Sequence, residues 1–206
     1  MCATQATVTP FPATSRYRPE GAAALLAHAL PDAWRKPALD LLKARGLPNP
    51  KLERWKYTNL LAFERAGCVP AVVCPQNFND WMMPNATRIL CVNGHVVSGA
   101  TLRGDLQKFV TDGPMARFDD GMCWALNQAL TVDGPLVRIS DTGHVFEIVH
   151  LAVGADVPQL SSPHSVFALE AGAEATIIER FMGTDHAGLV HSNHALHVTC
   201  APNAKL

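Results

Sequence analysis

The chain has 206 residues, of which 48% are hydrophobic and 17% charged, and its formal net charge is −1. This composition, with only 14 Gly and 15 Pro, excludes disordered, collagen-like and low-complexity chains. A near-neutral chain disfavours general nucleic-acid binding, and no apolar run approaches the ~18 residues of a membrane span. We therefore expect a globular protein with no nucleic-acid partner and no membrane partner.

Charge is distributed unevenly along the chain. Residues 1–60 contain nine Lys/Arg and four Asp/Glu, a net +5, whereas residues 61–206 contain eight and fourteen, a net −6. This difference predicts two parts with different surfaces. Residues 1–18 are predicted to form a flexible lead, and they have neither the basic start nor the apolar core of a signal peptide. We expect a cytoplasmic location, where thiols stay reduced.

Helical patterns dominate residues 19–66, the predicted N-terminal helical region. Residues 21–30 are rich in Ala and Leu at helical spacing. Asp32 is a candidate N-cap for a second helix that ends at Arg45, with Gly46 in the position of a C-cap. A third short helix or turn is predicted to start near residues 58–59 and to run through Leu60, Leu61 and Phe63.

Two aromatic residues, Trp55 and Tyr57, bracket Lys56 after this second helix. We expect both rings to anchor the helical region on the rest of the molecule, with Glu53 and Lys56 solvated. A ligand site is the alternative interpretation.

Residues 67–134 are predicted to form a mixed α/β connecting region, and strands follow from residue 135. Asn93-Gly94 predicts a β-hairpin, and residues 119–130 have a helical pattern in which Asp119-Asp120 marks the helix start. Short strands are then predicted at residues 136–139, 145–151, 165–169, 175–181 and 195–199. The sequence shows no strict repeat, so a sandwich, a barrel and a β-helix remain open.

The strand at residues 175–181 has polar and apolar residues on both faces. Ile177, Glu179 and Phe181 alternate on one face, and Ile178 and Arg180 lie on the other. This pattern indicates an element that is packed on both sides.

Seven of the nine histidines follow residue 143. His191, His194 and His197 could share a metal on a helix, but in this β-like sequence His194 points away from the other two. The spacing therefore disfavours a three-histidine metal site.

A cupin-like set is the second histidine pattern. His144, Glu147 and His150 supply suitable ligand types, but Glu147 falls on the opposite strand face from the two histidines. No Gly-x-Ser-x-Gly elbow, phosphate loop or dinucleotide fingerprint is present either.

The six cysteines include no Cys-x-x-Cys pair and fit neither a zinc ribbon nor an iron–sulfur run. Cys68, Cys74, Cys91 and Cys123 have apolar neighbours and are predicted to be small buried hydrophobic residues. We therefore expect no catalytic, cofactor-binding or metal-binding residue in the chain, and a binding or assembly protein rather than an enzyme.

Two segments carry a family resemblance. Gly46-Leu47-Pro48, followed by Glu53-x-Trp55-Lys56-Tyr57-Thr58, resembles the N-terminal signature of the SufD family, which belongs to the SUF iron–sulfur cluster assembly system. Residues 169–181 are similar to the stretch where the β-helix core of that family begins.

The resemblance implies a mainly β protein with an N-terminal helical region, followed over residues 135–206 by the start of a right-handed parallel β-helix. It implies a non-catalytic scaffold subunit that pairs with SufB-like and SufC-like proteins. No cofactor is expected in this chain, because the full complex handles the iron–sulfur cluster. The eight motif residues are then structural or interface residues.

Family members are longer than this chain, so we expect it to be the front part of a longer protein, with a truncated core. Such an open C-terminal end is expected to self-associate. The alternative function is a metal-dependent, cupin-like β-barrel enzyme that uses the histidine-rich second half.

Overall fold

The computed structural model describes parts of the N-terminal region and most of the β region. These residues are 26–27, 29–47, 55–57, 60, 63, 66–73, 83–99, 101, 121–184 and 188–206. The helix predicted for residues 21–30 lies mostly outside them, as do the turn predicted at residues 58–59 and the Asp119-Asp120 pair.

Two helices are described. A short 3₁₀ turn, Ala33–Arg35, leads into α1, Lys36–Arg45, and α2 spans Met122–Leu130. Gly46 ends α1 with a φ of 71°, and its N–H donates to the carbonyl of Leu42 at 2.8 Å, as predicted for a C-cap. Asp32 occupies the N-cap position of the 3₁₀ turn, and its carbonyl accepts a hydrogen bond from the N–H of Arg35 at 3.0 Å. Its side chain makes no capping hydrogen bond and instead accepts one from Arg35 Nε at 3.0 Å.

Ten strands are described, and most of them are short. They are β1 Val69–Pro70, β2 Thr87–Val92, β3 His95–Ser98, β4 Leu136–Ile139, β5 Thr142–Ala152, β6 Gln159–Ser161, β7 His164–Leu169, β8 Glu174–Gly183, β9 Val190–Ser192 and β10 Ala195–Cys200.

The strands form three sheets whose pairing is mostly parallel. Sheet I has the order β1-β6-β9, sheet II the order β3-β2-β5-β8 and sheet III the order β4-β7-β10. Among the described strands, only β3 pairs antiparallel, through the Asn93-Gly94 turn. Both turn residues have positive φ, 51° and 84°, which is the hairpin geometry that an Asn-Gly pair favours. The prediction of a mainly β protein is confirmed.

The chain visits the three sheets in a fixed order. From β4 to β10 it passes through sheets III, II and I and then repeats. We call one such pass a circuit. Val145 lies beside Thr176, and Gln159 lies beside Val190, so paired positions in these strands are 31 residues apart; between β4 and β7 the spacing is 30 residues. The structure therefore has a regular spacing that the amino-acid sequence does not display as a repeat.

Sheets II and III enclose an apolar cluster, which we call the interior cluster. It joins Ile148 of β5, Phe167 of β7 and Ala175 of β8 to residues of β2 and β4. A second cluster, including Val149 and Leu151, covers the opposite face of sheet II. Of the strand predicted at residues 175–181, Ala175 and Ile177 join the interior cluster, whereas none of these residues belongs to the second cluster. The prediction that this strand is packed on both sides is therefore confirmed for its inner face only.

The two helices pack on each other and on Leu160 of sheet I. Arg35 fixes this contact, because its guanidinium is buried and Nη1 donates to the carbonyls of Gln128 and Ala129 at 3.1 and 3.0 Å. These carbonyls lie in the last turn of α2, where a cation is favourable. Within the described part of the chain, no helix is long and apolar enough to cross a membrane.

Candidate functional site

The structure describes five of the eight motif residues that resemble the SufD signature. Gly46 caps α1, and Leu47 is buried in the cluster between the helices and sheet I. Trp55, Lys56 and Tyr57 are described. The remaining three lie outside the described residues: Pro48, Glu53 and Thr58.

The two aromatic residues of the motif differ in environment. Trp55 is half-buried, whereas Tyr57 is 91% exposed and Lys56 Nζ lies 5.5 Å from its ring centroid. The prediction that both rings anchor the helical region is therefore wrong for Tyr57. Because Tyr57 is exposed, its ring is available to a binding partner even though Lys56 lies beside it.

Neither histidine set considered from the sequence forms a site. His191 packs edge-on against Phe63, with centroids 5.0 Å apart. His197 lies in β10 beside Val166. His194 lies in the connection between β9 and β10.

The cupin-like set is also dispersed. His144 is exposed, with Nε2 2.7 Å from an oxygen of Asp141. Glu147 is buried on the opposite face of β5, where it accepts hydrogen bonds from Arg88 and Arg180 at 2.8 and 2.6 Å. These contacts confirm that Glu147 and His150 face opposite ways.

A different polar cluster lies at one end of the interior cluster. His150 of β5, Glu179 of β8 and His194 each offer one ligand atom, and these atoms lie within 4.8 Å of one another. His150 follows Ile148 on the same face of β5, and Glu179 lies directly beside Ile148. Alternation along the strands therefore turns both side chains inward.

Hydrogen bonds hold these side chains together. His150 Nε2 donates to Glu179 Oε1 at 2.9 Å, and Ser165 Oγ donates to the same oxygen at 3.2 Å. His194 Nε2 lies 2.7 Å from Ser165 Oγ and 3.5 Å from Glu179 Oε1. One carboxylate oxygen is thus the centre of the cluster.

Aromatic packing and a buried amide position the histidines. The Phe181 ring stacks on His150 at 4.7 Å and meets His194 edge-on at 5.4 Å. Asn127 of α2 donates to the carbonyl of Asn193 at 2.7 Å, which fixes the backbone just before His194. The cluster therefore lies in a defined, largely dehydrated place.

Burial sets the charges in the cluster. Burial lowers the pKa of His194 to about 4, against the upward pull of Glu179. Burial raises the pKa of Glu179, but its hydrogen bond with His150 and the neighbouring imidazoles outweigh this and place it below its usual range. At neutral pH the cluster therefore contains a carboxylate and a neutral His194.

A serine hydrolase arrangement is not formed here. In a catalytic triad, one ring nitrogen faces the serine and the other faces the acid. In this cluster the same atom, His194 Nε2, faces both Ser165 and Glu179. The geometry suits a shared ligand at the centre better than proton relay to a nucleophile.

Sequence reasoning missed this cluster because it compared histidines with their chain neighbours. His150, Glu179 and His194 meet only across the sheets, through the 31-residue spacing that places His150 beside Phe181. One signal was available: Glu179 alternates with Ile177 and Phe181, and a carboxylate on a buried face requires a partner.

The cysteines do not contribute reactive thiols to this cluster. Cys68 and Cys91 are buried, as predicted, while Cys123 is half-buried and Cys200 is exposed; all four are free. Burial raises the pKa of Cys68 to about 11, and burial, with Asp133 and Glu179, also raises the pKa of Cys91. Cys74 lies outside the described residues.

Comparison with known proteins adds no relative. No protein-family model matches this chain, and a search of the curated proteins returns no match. The case for a function therefore rests on the motif residues and on the geometry.

Proposed function

We propose that this chain is a non-catalytic, SufD-like scaffold subunit in iron–sulfur cluster assembly. The topology of the β region is the observation that carries the proposal. Strands β4 to β10 follow two packed helices and pass repeatedly through three sheets. This agrees with a helical region followed by the start of a right-handed parallel β-helix, which is the architecture that the motif implies.

The partners in this proposal are a SufB-like protein and a SufC-like ATPase. Tyr57 is the motif residue best suited to contact one of them, because it is 91% exposed and tyrosine is enriched among residues that dominate binding energy. The proposal places the complex in the cytoplasm, where the free cysteines would stay reduced.

The cupin-like enzyme is the weaker candidate. Cupins are antiparallel double-sheet folds, whereas the described strands pair mostly in parallel. Its predicted ligand set is also divided between the two faces of β5.

Co-purification with SufB-like and SufC-like proteins tests the scaffold proposal. We expect the wild-type chain to be retained by at least one of them. Tyr57→Ala should weaken binding on the order of 30-fold, as expected for a residue worth about 2 kcal/mol at an interface, without changing the melting temperature.

Val157→Ala is the matched control, because Val157 is a large exposed residue outside the motif, at 44% exposure. It should leave binding unchanged. Failure of both partners to retain the wild-type chain would refute the scaffold role. Equal binding by wild type and Tyr57→Ala would remove the motif from the interface.

A further inference from the structure

We propose that His150, Glu179 and His194 bind one divalent transition-metal ion at the end of the interior cluster. The inference goes beyond the scaffold role and does not depend on it. It rests on the convergence of three ligand atoms from separate parts of the chain.

The spacing of the ligand atoms suits a small cation. A four-coordinate ion with nitrogen and oxygen ligands at about 2.1 Å separates those ligand atoms by about 3.4 Å. Glu179 Oε1 lies 2.9 Å from His150 Nε2 and 3.5 Å from His194 Nε2. All three ligand atoms lie within 4.8 Å of one another, so their separations lie on either side of the value that a bound ion requires.

The ligand types select the class of metal. Two imidazoles and one carboxylate suit Zn²⁺, Fe²⁺ or Co²⁺, whereas Mg²⁺ and Ca²⁺ prefer sets made only of oxygen. Three protein ligands leave a fourth position open, as in zinc sites that bind water or substrate. Ser165 Oγ lies 3.2 Å from Glu179 Oε1 and 2.7 Å from His194 Nε2, so it contacts two of the three ligands.

The surroundings support a bound ion. The side chains of His150, Glu179 and His194 are only 7%, 17% and 15% exposed, so an ion bound between them would be largely shielded from water. Stacking on Phe181 restricts the ring of His150, and Asn127 fixes the loop that carries His194, so two ligands are held in place before binding.

Co²⁺ titration of the tag-free, chelator-treated chain tests the proposal. We expect one equivalent of Co²⁺ to bind, with visible absorption bands of a four- or five-coordinate ion and no thiolate charge-transfer band. Zn²⁺ should displace it with the same stoichiometry and raise the melting temperature.

Variants localise the site. Glu179→Gln and His194→Asn should each weaken Co²⁺ binding at least ~100-fold, and Ser165→Ala about 10-fold, as for groups that orient metal ligands. His144→Asn is the matched control, because His144 also pairs with a carboxylate but on the exposed surface. It should bind Co²⁺ like the wild type.

Circular dichroism separates loss of binding from loss of folding. If Glu179→Gln fails to fold, His194→Asn decides, because His194 lies in a connection between strands. Absence of Co²⁺ binding by the wild-type chain, unchanged binding by His194→Asn, or a thiolate charge-transfer band would each overturn the proposal. Loss of the metal site would leave the partner-binding result untouched, so the two proposals fail separately.

Discussion

Gly134→Ala tests the close contact between successive circuits. Gly134 directly precedes the Pro135 bridge and β4, and the neighbouring Asp133 carbonyl accepts a hydrogen bond from the N–H of His164 at 3.2 Å. A Cβ at Gly134 would lie 2.0 Å from the His164 carbonyl oxygen and 2.6 Å from its carbon. Those are backbone atoms of β7, so they cannot rotate away, and the two circuits must separate.

The expected cost follows from this geometry. Overpacking typically destabilises by about 1–3 kcal/mol, and a clash with backbone places this substitution near ~3 kcal/mol. For a protein of this size that corresponds to a melting temperature about 6–12 °C lower. Urea unfolding should show a lower midpoint with an unchanged slope.

Gly183→Ala is the matched control for this prediction. A Cβ at Gly183, in β8, would meet its nearest neighbour, the Ala152 carbonyl oxygen, at 4.0 Å. Its free energy of unfolding should therefore change by less than ~0.5 kcal/mol. If Gly134→Ala were as stable as Gly183→Ala, the close approach of β4 and β7 would be refuted.

Three further predictions concern pH, a buried cation and association. Burial, and then the charges of neighbouring histidines, lower the pKa of His164 from 6.5 to about 4; the unfolded chain thus takes up the proton first as pH falls. The protonation of His164 alone should remove about 2 kcal/mol of stability between pH 7 and pH 5, and His194, whose pKa is also lowered to about 4, should add a similar loss. A His164→Gln variant whose urea unfolding showed as large a loss as the wild type would contradict this. Arg35→Met should lower the free energy of unfolding, measured in urea, by ~3 kcal/mol, because it leaves the carbonyls of Gln128 and Ala129 without their partner. Lys36→Met is the control: it removes an exposed ion pair and should lower the same free energy by less than ~0.5 kcal/mol. Light scattering should show dimers or larger species, because Val198 is 41% exposed on β10, an edge strand among the described strands. Val198→Lys should reduce this association, whereas Thr199→Lys, on the other face of β10, should not. A wild-type chain that stayed monomeric at high concentration would refute the prediction.

Local chemistry made much of the β region predictable. The strand predicted at residues 136–139 is observed with the same bounds, and the Asn93-Gly94 turn has the expected backbone. Alternation predicted that Glu179 shares a face of its strand with Ile177, and the structure shows that this face is the inner one. Each of these features depends on neighbours within a few residues.

What the sequence could not predict depends on distant contacts. The strands β6 and β9 have three residues each, too few for a periodic pattern. The exposure of Tyr57 depends on how its segment meets the rest of the molecule. The cluster of His150, Glu179 and His194 exists only because the circuits stack, and this register is not visible in one sequence without a repeat.

The 31-residue spacing constrains how this protein can change in length. Side chains alternate faces along a strand, so adding one residue inside β5 or β8 would exchange the inner and outer faces beyond it. Adding or removing a whole circuit would preserve every face and every lateral pairing. The architecture therefore tolerates duplication of an entire circuit far better than insertion of a single residue. A longer insertion is best placed in a connection between two strands, which is where α2 lies, between β3 and β4.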